Sequence, residues 1–413
     1  MGLFRSATLF VCMFPSSDPF GLFPALDTKP YAFFFIVLAL ICEGRLSISI
    51  KAITLLLIAL AGTFLVLLQT ESTNAMVFLR GIYNFASVPL IYMWAWNAVP
   101  KLAHMGLILR VSVTIWFFGG VAQAFFSNLF IAPSMGRTTL ERGVTSFSPE
   151  PTFYALTLLL MMFLVLEFHS WNFRKVRLEL FFSGIGILFL AKSSAVLAIL
   201  IPILFFWVLR RVLLADLFRG VNAAPLALMA IGVSIVILSP QFFDNSRVKN
   251  LFELLIDSDG VFSELMADAS INARAQAVAF SHLGAAYNLF LPQGLHSYSE
   301  FSESMSRDLG HIFWYAGGGD KISSWTGEWV FHMGAIGVMF IAGLFFSQDN
   351  LRPAISVRRV FLLFLLVGSV PVGWPIVPIL VATVDRNKAL GCTKLRPLEE
   401  IGIKAAKRNQ YGS

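Results

Sequence analysis

The stretch Gly136–Val165, "GRTTLERGVTSFSPEPTFYALTLLLMMFLV", decides how this chain reads. Its first half holds Arg137, Glu141, Arg142 and Glu150, with Pro149 and Pro151 on either side of Glu150. From Thr152 onward it is almost wholly apolar. Such a run suits hydrocarbon, whereas ionised side chains are costly there. A charged, proline-stiffened loop therefore abuts a membrane-grade helix.

The rest of the chain repeats the apolar half. Of its 413 residues 57% are hydrophobic and only 13% are charged, with a mean hydropathy of +0.75. Soluble globular chains carry about a quarter charged residues. Apolar segments fall at 6–25, 31–43, 52–69, 75–97, 105–128, 152–168, 178–191, 194–209, 224–239, 329–347, 359–370 and 373–384. They predict an all-α, polytopic integral membrane bundle of about 10–12 transmembrane helices. An outer-membrane barrel is excluded, because runs such as "FFFIVLALI" do not alternate. The opening "MGLFRSATLFVCMFPSSDPF" resembles a signal peptide without a small-x-small cleavage site. It reads as a first membrane segment or interfacial helix. Cys12, Cys42 and Cys392 are too scattered for a metal or redox pair.

The net charge of +7 belongs to short inside loops and the tail, not to a nucleic-acid surface. "HSWNFRKVR" after residue 168 and "LRRVLLADLFRG" after residue 208 are basic and therefore cytoplasmic. Two inside flanks require an even number of crossings, so 178–209 should be a hairpin broken at "AKSSA". By the same logic 359–384 should be a hairpin broken at "GSVPVGWP". This topology puts both termini in the cytoplasm. It puts the 129–151 loop and a large, partly helical 240–327 loop outside. The latter carries ten Asp and Glu against five Lys and Arg. Residues 385–413 form a basic cytoplasmic tail, and the whole chain 1–413 is one membrane domain. In the large loop, "DNSRVKNLFELLIDS" has helical spacing and suits the membrane surface. "SELMADASINARAQAVAFSHLGAAYNLF" reads as a helix closed by the turn "LPQG".

Arginine pairs phosphate bidentately and stays charged, so Arg137, Arg142 and Arg274 are candidate diphosphate ligands. Lys192, between two apolar runs, joins them, with snorkelling to headgroups as the plainer alternative. Glu150 starts a helix and is either a helix-end carboxylate or a catalytic one. His282 is a candidate proton acceptor because histidine titrates near neutral pH. Glu328, at the start of a helix, is either a cap or a substrate contact, and His311 lies in "DLGHIFWYAGGGDK". Arg80 and Arg110 interrupt apolar runs, with Arg80 near the outer face.

"RGVTSFSPEPTFYA" (142–155) resembles the R-x-x-S-F-x-x-E-P-(S/T) signature of bacterial O-antigen and exopolysaccharide repeat-unit polymerases, the Wzy-like family. "LFLAKSSAVLAIL" (188–200) is similar to that family's S-x-S break between apolar runs. "NARAQAVAFSHLGAAYNLFLPQGLHSY" (272–298) resembles its helix arginine followed by a glycine turn. "SSWTGEWVFHMGAIGVMF" (323–340) resembles its polar loop, then a Glu-or-His position, then a G-x-x-G in a helix. The resemblance implies a glycosyltransferase of the bacterial inner membrane using undecaprenyl-diphosphate-linked oligosaccharides. It implies transfer of one glycan onto the terminal sugar of another lipid-linked unit at the outer face, with Glu328 and His311 in contact with the acceptor sugar. Membrane lipids and a chain-length regulator protein are the further partners implied, with no nucleic acid. No cofactor and no metal are expected, since arginine and lysine can stabilise a leaving diphosphate. The alternatives are an O-antigen ligase with a lipid A-core acceptor, a lipid-linked glycan flippase or transporter, and a structural or receptor protein. A transporter should show internal repeats and midplane charges, and the sequence shows neither.

Overall fold

A computed structural model describes residues 2–126, 143–193 with Val196, 266–315, 321–345 and 362–387. The stretches 44–48 and 71–74 and a few isolated positions within those ranges are left out. Arg137, Arg142, the segment 224–239, the expected surface helix of 244–258 and nearly all of the basic tail lie outside the described residues.

The described residues are helical, with no strand among them. In chain order the helices are α1 (Gly2–Cys12), α2 (Tyr31–Cys42), α3 (Ile50–Leu68), α4 (Ala75–Ala98), α5 (Met105–Phe125), α6 (Pro151–Phe168) and α7 (Arg177–Ile185). They continue with α8 (Ala269–Tyr287), α9 (Ser297–Leu309), α10 (Trp325–Met333), α11 (Ala335–Phe345) and α12 (376–387). By length and composition α3, α5 and α6 can each cross a membrane, so the chain associates with one.

α6 lies at the centre. Every one of its residues except Met162 and Phe168 is buried. A helix that is apolar all round has no solvent face and is used as a core element. α5 and α7 pack on it. Trp116 of α5 stacks between Tyr154 of α6, with centroids 5.9 Å apart, and Phe14 after α1, at 5.5 Å. Its indole N–H donates to the Met13 carbonyl at 2.9 Å, which ties α1 to the bundle. On the other side α3 packs against α4 and α11, and α10 against α8 and α11.

Two expected segments are interrupted. The run 6–25 is not one helix: α1 stops at Cys12, and Pro15 follows. The chain then folds around Asp18, whose carboxylate accepts from the Tyr31 hydroxyl at 2.6 Å and the Phe23 amide at 2.9 Å. The run 329–347 is two helices, because Gly334 takes φ +57°. A Cβ there would lie 2.0 Å from the Phe290 carbonyl oxygen, so no other residue fits without movement.

The "AKSSA" break appears where the sequence places it. α7 runs into a π-helical turn, Gly186–Leu190, and helical geometry ends at Ala191. Lys192 follows at φ +46°. Residues 371–375, inside the "GSVPVGWP" break, likewise separate the helical residues near 365 from α12.

Candidate functional site

The polar half of the 136–165 stretch is held by α5 and by the 190–193 break. Gln123 of α5 accepts the amides of Thr145 and Ser146 at 2.8 and 2.6 Å and donates to the Thr145 hydroxyl at 3.0 Å. The Ser146 hydroxyl donates to the Trp116 carbonyl at 3.0 Å. The Ser148 hydroxyl bonds the carbonyls of Thr145 and Glu150 at 2.7 and 2.8 Å. Val144 donates to Leu190 at 2.9 Å, and the hydroxyls of Ser193 and Thr152 meet at 3.1 Å. Gly143 takes φ +95°, and a Cβ there would stand 2.4 Å from the Ala191 carbonyl oxygen. The 143–152 stretch and the 190–193 break, separate in sequence, thus pack against each other beside Lys192.

Glu150 is the N-cap residue of α6, with extended backbone, and Pro151 opens the helix. Its side chain makes no capping bond. Instead it faces Arg274 of α8, whose guanidinium stands 3.4 Å from it. The two side chains are 28% and 18% exposed, so the pair is shielded but reachable from solvent. Arg274 also donates to the Ser270 carbonyl at 3.0 Å and to the Ser270 hydroxyl. Asp268 caps α8 by accepting the amides of Ser270 and Ile271 at 2.8 and 3.0 Å, which fixes where Arg274 emerges.

His282 lies two turns along α8. Its Nδ1 stands 2.7 Å from the Val278 carbonyl, which requires a proton on Nδ1. Nε2 faces the Thr326 hydroxyl of α10 at 3.3 Å, accepting from it when the ring is neutral. Ser281 is buried, bonds its own helix at Ala277, and packs against Gly327. His282 therefore holds α8 to α10.

A second polar cluster lies where α4, the 292–296 turn and α10 meet. It encloses a cavity of about 360 Å³. α4 contributes Arg80 and Asn84, one turn apart and so on one face. α10 contributes Glu328 and His332 with the same spacing. Leu295, His296, Tyr298 and Ser299 close one side, and Lys321 and Ile322 another. The turn is pinned from both ends. Leu295 donates to the Thr70 hydroxyl at 3.1 Å, and Gln293 donates to the His332 carbonyl at 2.8 Å. Asn84 reaches the Glu328 carboxylate at 3.4 Å. Glu328 stands just ahead of the apolar run 329–347. Burial pushes its carboxyl up to about 7, while Arg80 and Asn84 pull it the other way.

Of the residues singled out from the sequence, the structure joins Glu150 to Arg274 and places Lys192 beside the same loop. Glu328 lines the cavity. His311 stands exposed on the turn after α9 and does not line it. Arg137 and Arg142 lie outside the described residues, with Gly143 the first residue after them. Sequence reading gave no role to Asn84, His296, Lys321 or His332. The four-residue spacings of Arg80 with Asn84 and of Glu328 with His332 were the available signals. Arg110, which interrupts an apolar run, pairs with the buried carboxylate of Glu179 at 2.5 Å.

No family model, no curated protein and no solved structure matches the chain.

Proposed function

We propose that this chain is a glycan transferase of the bacterial inner membrane. It polymerises oligosaccharide repeat units carried on undecaprenyl diphosphate, at the outer face. The observation that carries this reading is the pairing of Glu150 with Arg274 at 3.4 Å. A carboxylate and a guanidinium from two distant polar stretches meet at the mouth of a membrane-grade helix. The lipid diphosphate lies at that level and the sugars lie in water.

In the proposed step the acceptor sugar's hydroxyl oxygen bonds to the donor's anomeric carbon. The bond from that carbon to the diphosphate oxygen breaks, and its electron pair leaves with the diphosphate. Arg274, with Arg142, Arg137 and Lys192, stabilises the growing charge on the leaving group. Glu150 takes the hydroxyl proton. The Nε2 of His282 already faces Thr326. Glu150, partly exposed beside the arginine that would meet the donor, is better placed than His282 to meet an acceptor hydroxyl.

The test is the polysaccharide made by cells carrying single variants at wild-type protein level. Arg274→Ala should leave only unpolymerised units, and Arg274→Lys should restore little, since lysine lacks the planar fork. Long chains from Arg274→Ala cells would remove this residue from the site.

A further inference from the structure

We propose that the turn after α8, residues 287–291, dips into the bilayer and anchors α8 there, its partner being the acyl chains of membrane lipids. The anchor stands whether or not the chain transfers glycans.

Composition is the first ground. The thirteen residues 283–295 include no Asp, Glu, Lys, Arg or His. Soluble chains carry about one charged residue in four, so a stretch of this length in water would hold about three. Leu289 is 81% exposed, Tyr287 69% and Leu291 61%, and Phe290 and Leu283 are exposed as well. Leu283 and Tyr287 lie one turn apart and share a face of α8. The protein's own packing therefore covers little of this apolar surface.

The backbone is the second ground. Leu289 and Phe290 take φ +51° and +56°. Glycine enters that left-handed region freely, and bulky side chains enter it at a cost. A helix end of this kind is ordinarily given to glycine or asparagine. Hydrogen bonds fix the conformation. The Phe290 amide donates to the Ala285 carbonyl at 2.7 Å, and the Phe290 carbonyl accepts from the Ala335 amide at 2.8 Å. Leu289 gains little burial within the protein to offset the cost. Its side chain has a use only against something outside.

Depth is the third ground, and it names the partner. α3 is long and apolar enough to cross a membrane. Ile53, Leu57, Leu60, Phe64 and Leu68 are exposed along it at helical spacing, a lipid-facing stripe that runs to its C-terminal end. The chain after α8 is fastened to that end. A Cβ on Gly294 would lie 2.4 Å from the Gln69 carbonyl oxygen, and the Leu295 amide donates to the Thr70 hydroxyl at 3.1 Å. The Phe290 carbonyl is fastened to the start of α11, a second apolar helix. The turn is thus held where membrane-grade helices end, at the level to which the stripe of α3 continues. Interfacial elements sink about 5–10 Å into the boundary between headgroups and acyl chains. Tyrosine is an ordinary residue of that belt. The anchor ties down the C-terminal end of α8, the helix that carries Arg274.

Spin-label accessibility tests the anchor. Leu289→Cys, Leu291→Cys, Leu60→Cys and Glu303→Cys are each made in full-length protein that also carries Cys42→Ser and Cys392→Ser. Each is labelled and placed in lipid nanodiscs. All four positions are exposed, so the label displaces no packed side chain, and Cys12 is buried and stays unlabelled. Oxygen concentrates in the bilayer, whereas chelated nickel stays in water. The oxygen-to-nickel accessibility ratio at Leu289 and Leu291 should rise to near that at Leu60, in the stripe of α3, and stand well above that at Glu303, on α9. A ratio at the Glu303 level would place the turn in water and overturn the proposal. Exclusion of both reagents would also overturn it, since that marks a protein partner. Magnetic coupling between labels on two molecules would identify that partner as a second copy of this chain.

Discussion

Glu150, on the threshold of a helix buried along nearly its whole length, stands 3.4 Å from Arg274, a residue 124 positions further along the chain. Glu150 carries no helix-capping bond, and its carboxylate faces the guanidinium instead. Pro149 and Pro151 restrict the backbone on either side. Fixing the group in advance lowers the ordering cost of reaction.

Glu150→Gln keeps size and hydrogen bonding and removes the charge. If the carboxylate takes the acceptor proton, transfer should fall by a factor of about 10² or more. Single-turnover rates with purified substrate measure this. A rate within threefold of wild type would leave Glu150 with a structural role only.

Gln123→Leu should weaken the loop without touching the ion pair. It strands the buried amides of Thr145 and Ser146, at about 1–3 kcal/mol for each unsatisfied group. The expected readout is a lower thermal midpoint in detergent together with reduced transfer. An unchanged midpoint would mean that the loop is held elsewhere.

Gly334→Ala should be among the most damaging substitutions outside the site. It forces a side chain into φ +57° and a Cβ onto the Phe290 carbonyl. Strain of this kind costs about 1–3 kcal/mol before the clash is counted. Loss of folded protein on size-exclusion chromatography is the expected outcome, and wild-type yield would contradict it.

Glu328 makes stability depend on pH in a defined direction. Its folded carboxyl is raised from the ordinary 4.5 to about 7. The folded protein therefore holds a proton that the unfolded chain has lost. The stabilisation is full below the ordinary carboxylate range and is lost as pH rises through about 7. Thermal midpoints across that interval should fall more steeply for wild type than for Glu328→Gln. Parallel curves would show that Glu328 is not enclosed.

Much of the helical layout is written in the sequence, because apolar runs long enough to cross a bilayer leave few other folds. The breaks at Lys192 and near Trp374 announce themselves through Ser, Gly and Pro. Gly334 does not, since a lone glycine in an apolar run reads as helix until Phe290 is found against it. Arg274 and Glu150 each stand out as charges in telling places. Their meeting depends on where the tertiary fold brings the first turns of α8 relative to the start of α6, which no local pattern encodes. The cavity was legible only in part. Glu328 and Arg80 draw notice as charges, whereas Asn84 and Lys321 look ordinary until the 292–296 turn brings them to one space.

The most direct test is elongation in vitro. Purified protein is supplied with undecaprenyl-diphosphate-linked repeat units, and product ladders are read with and without EDTA. Wild type should build ladders in both conditions, and Arg274→Ala should leave single units. No ladder from folded wild type, ladders lost on chelation, or full ladders from Arg274→Ala would contradict the account.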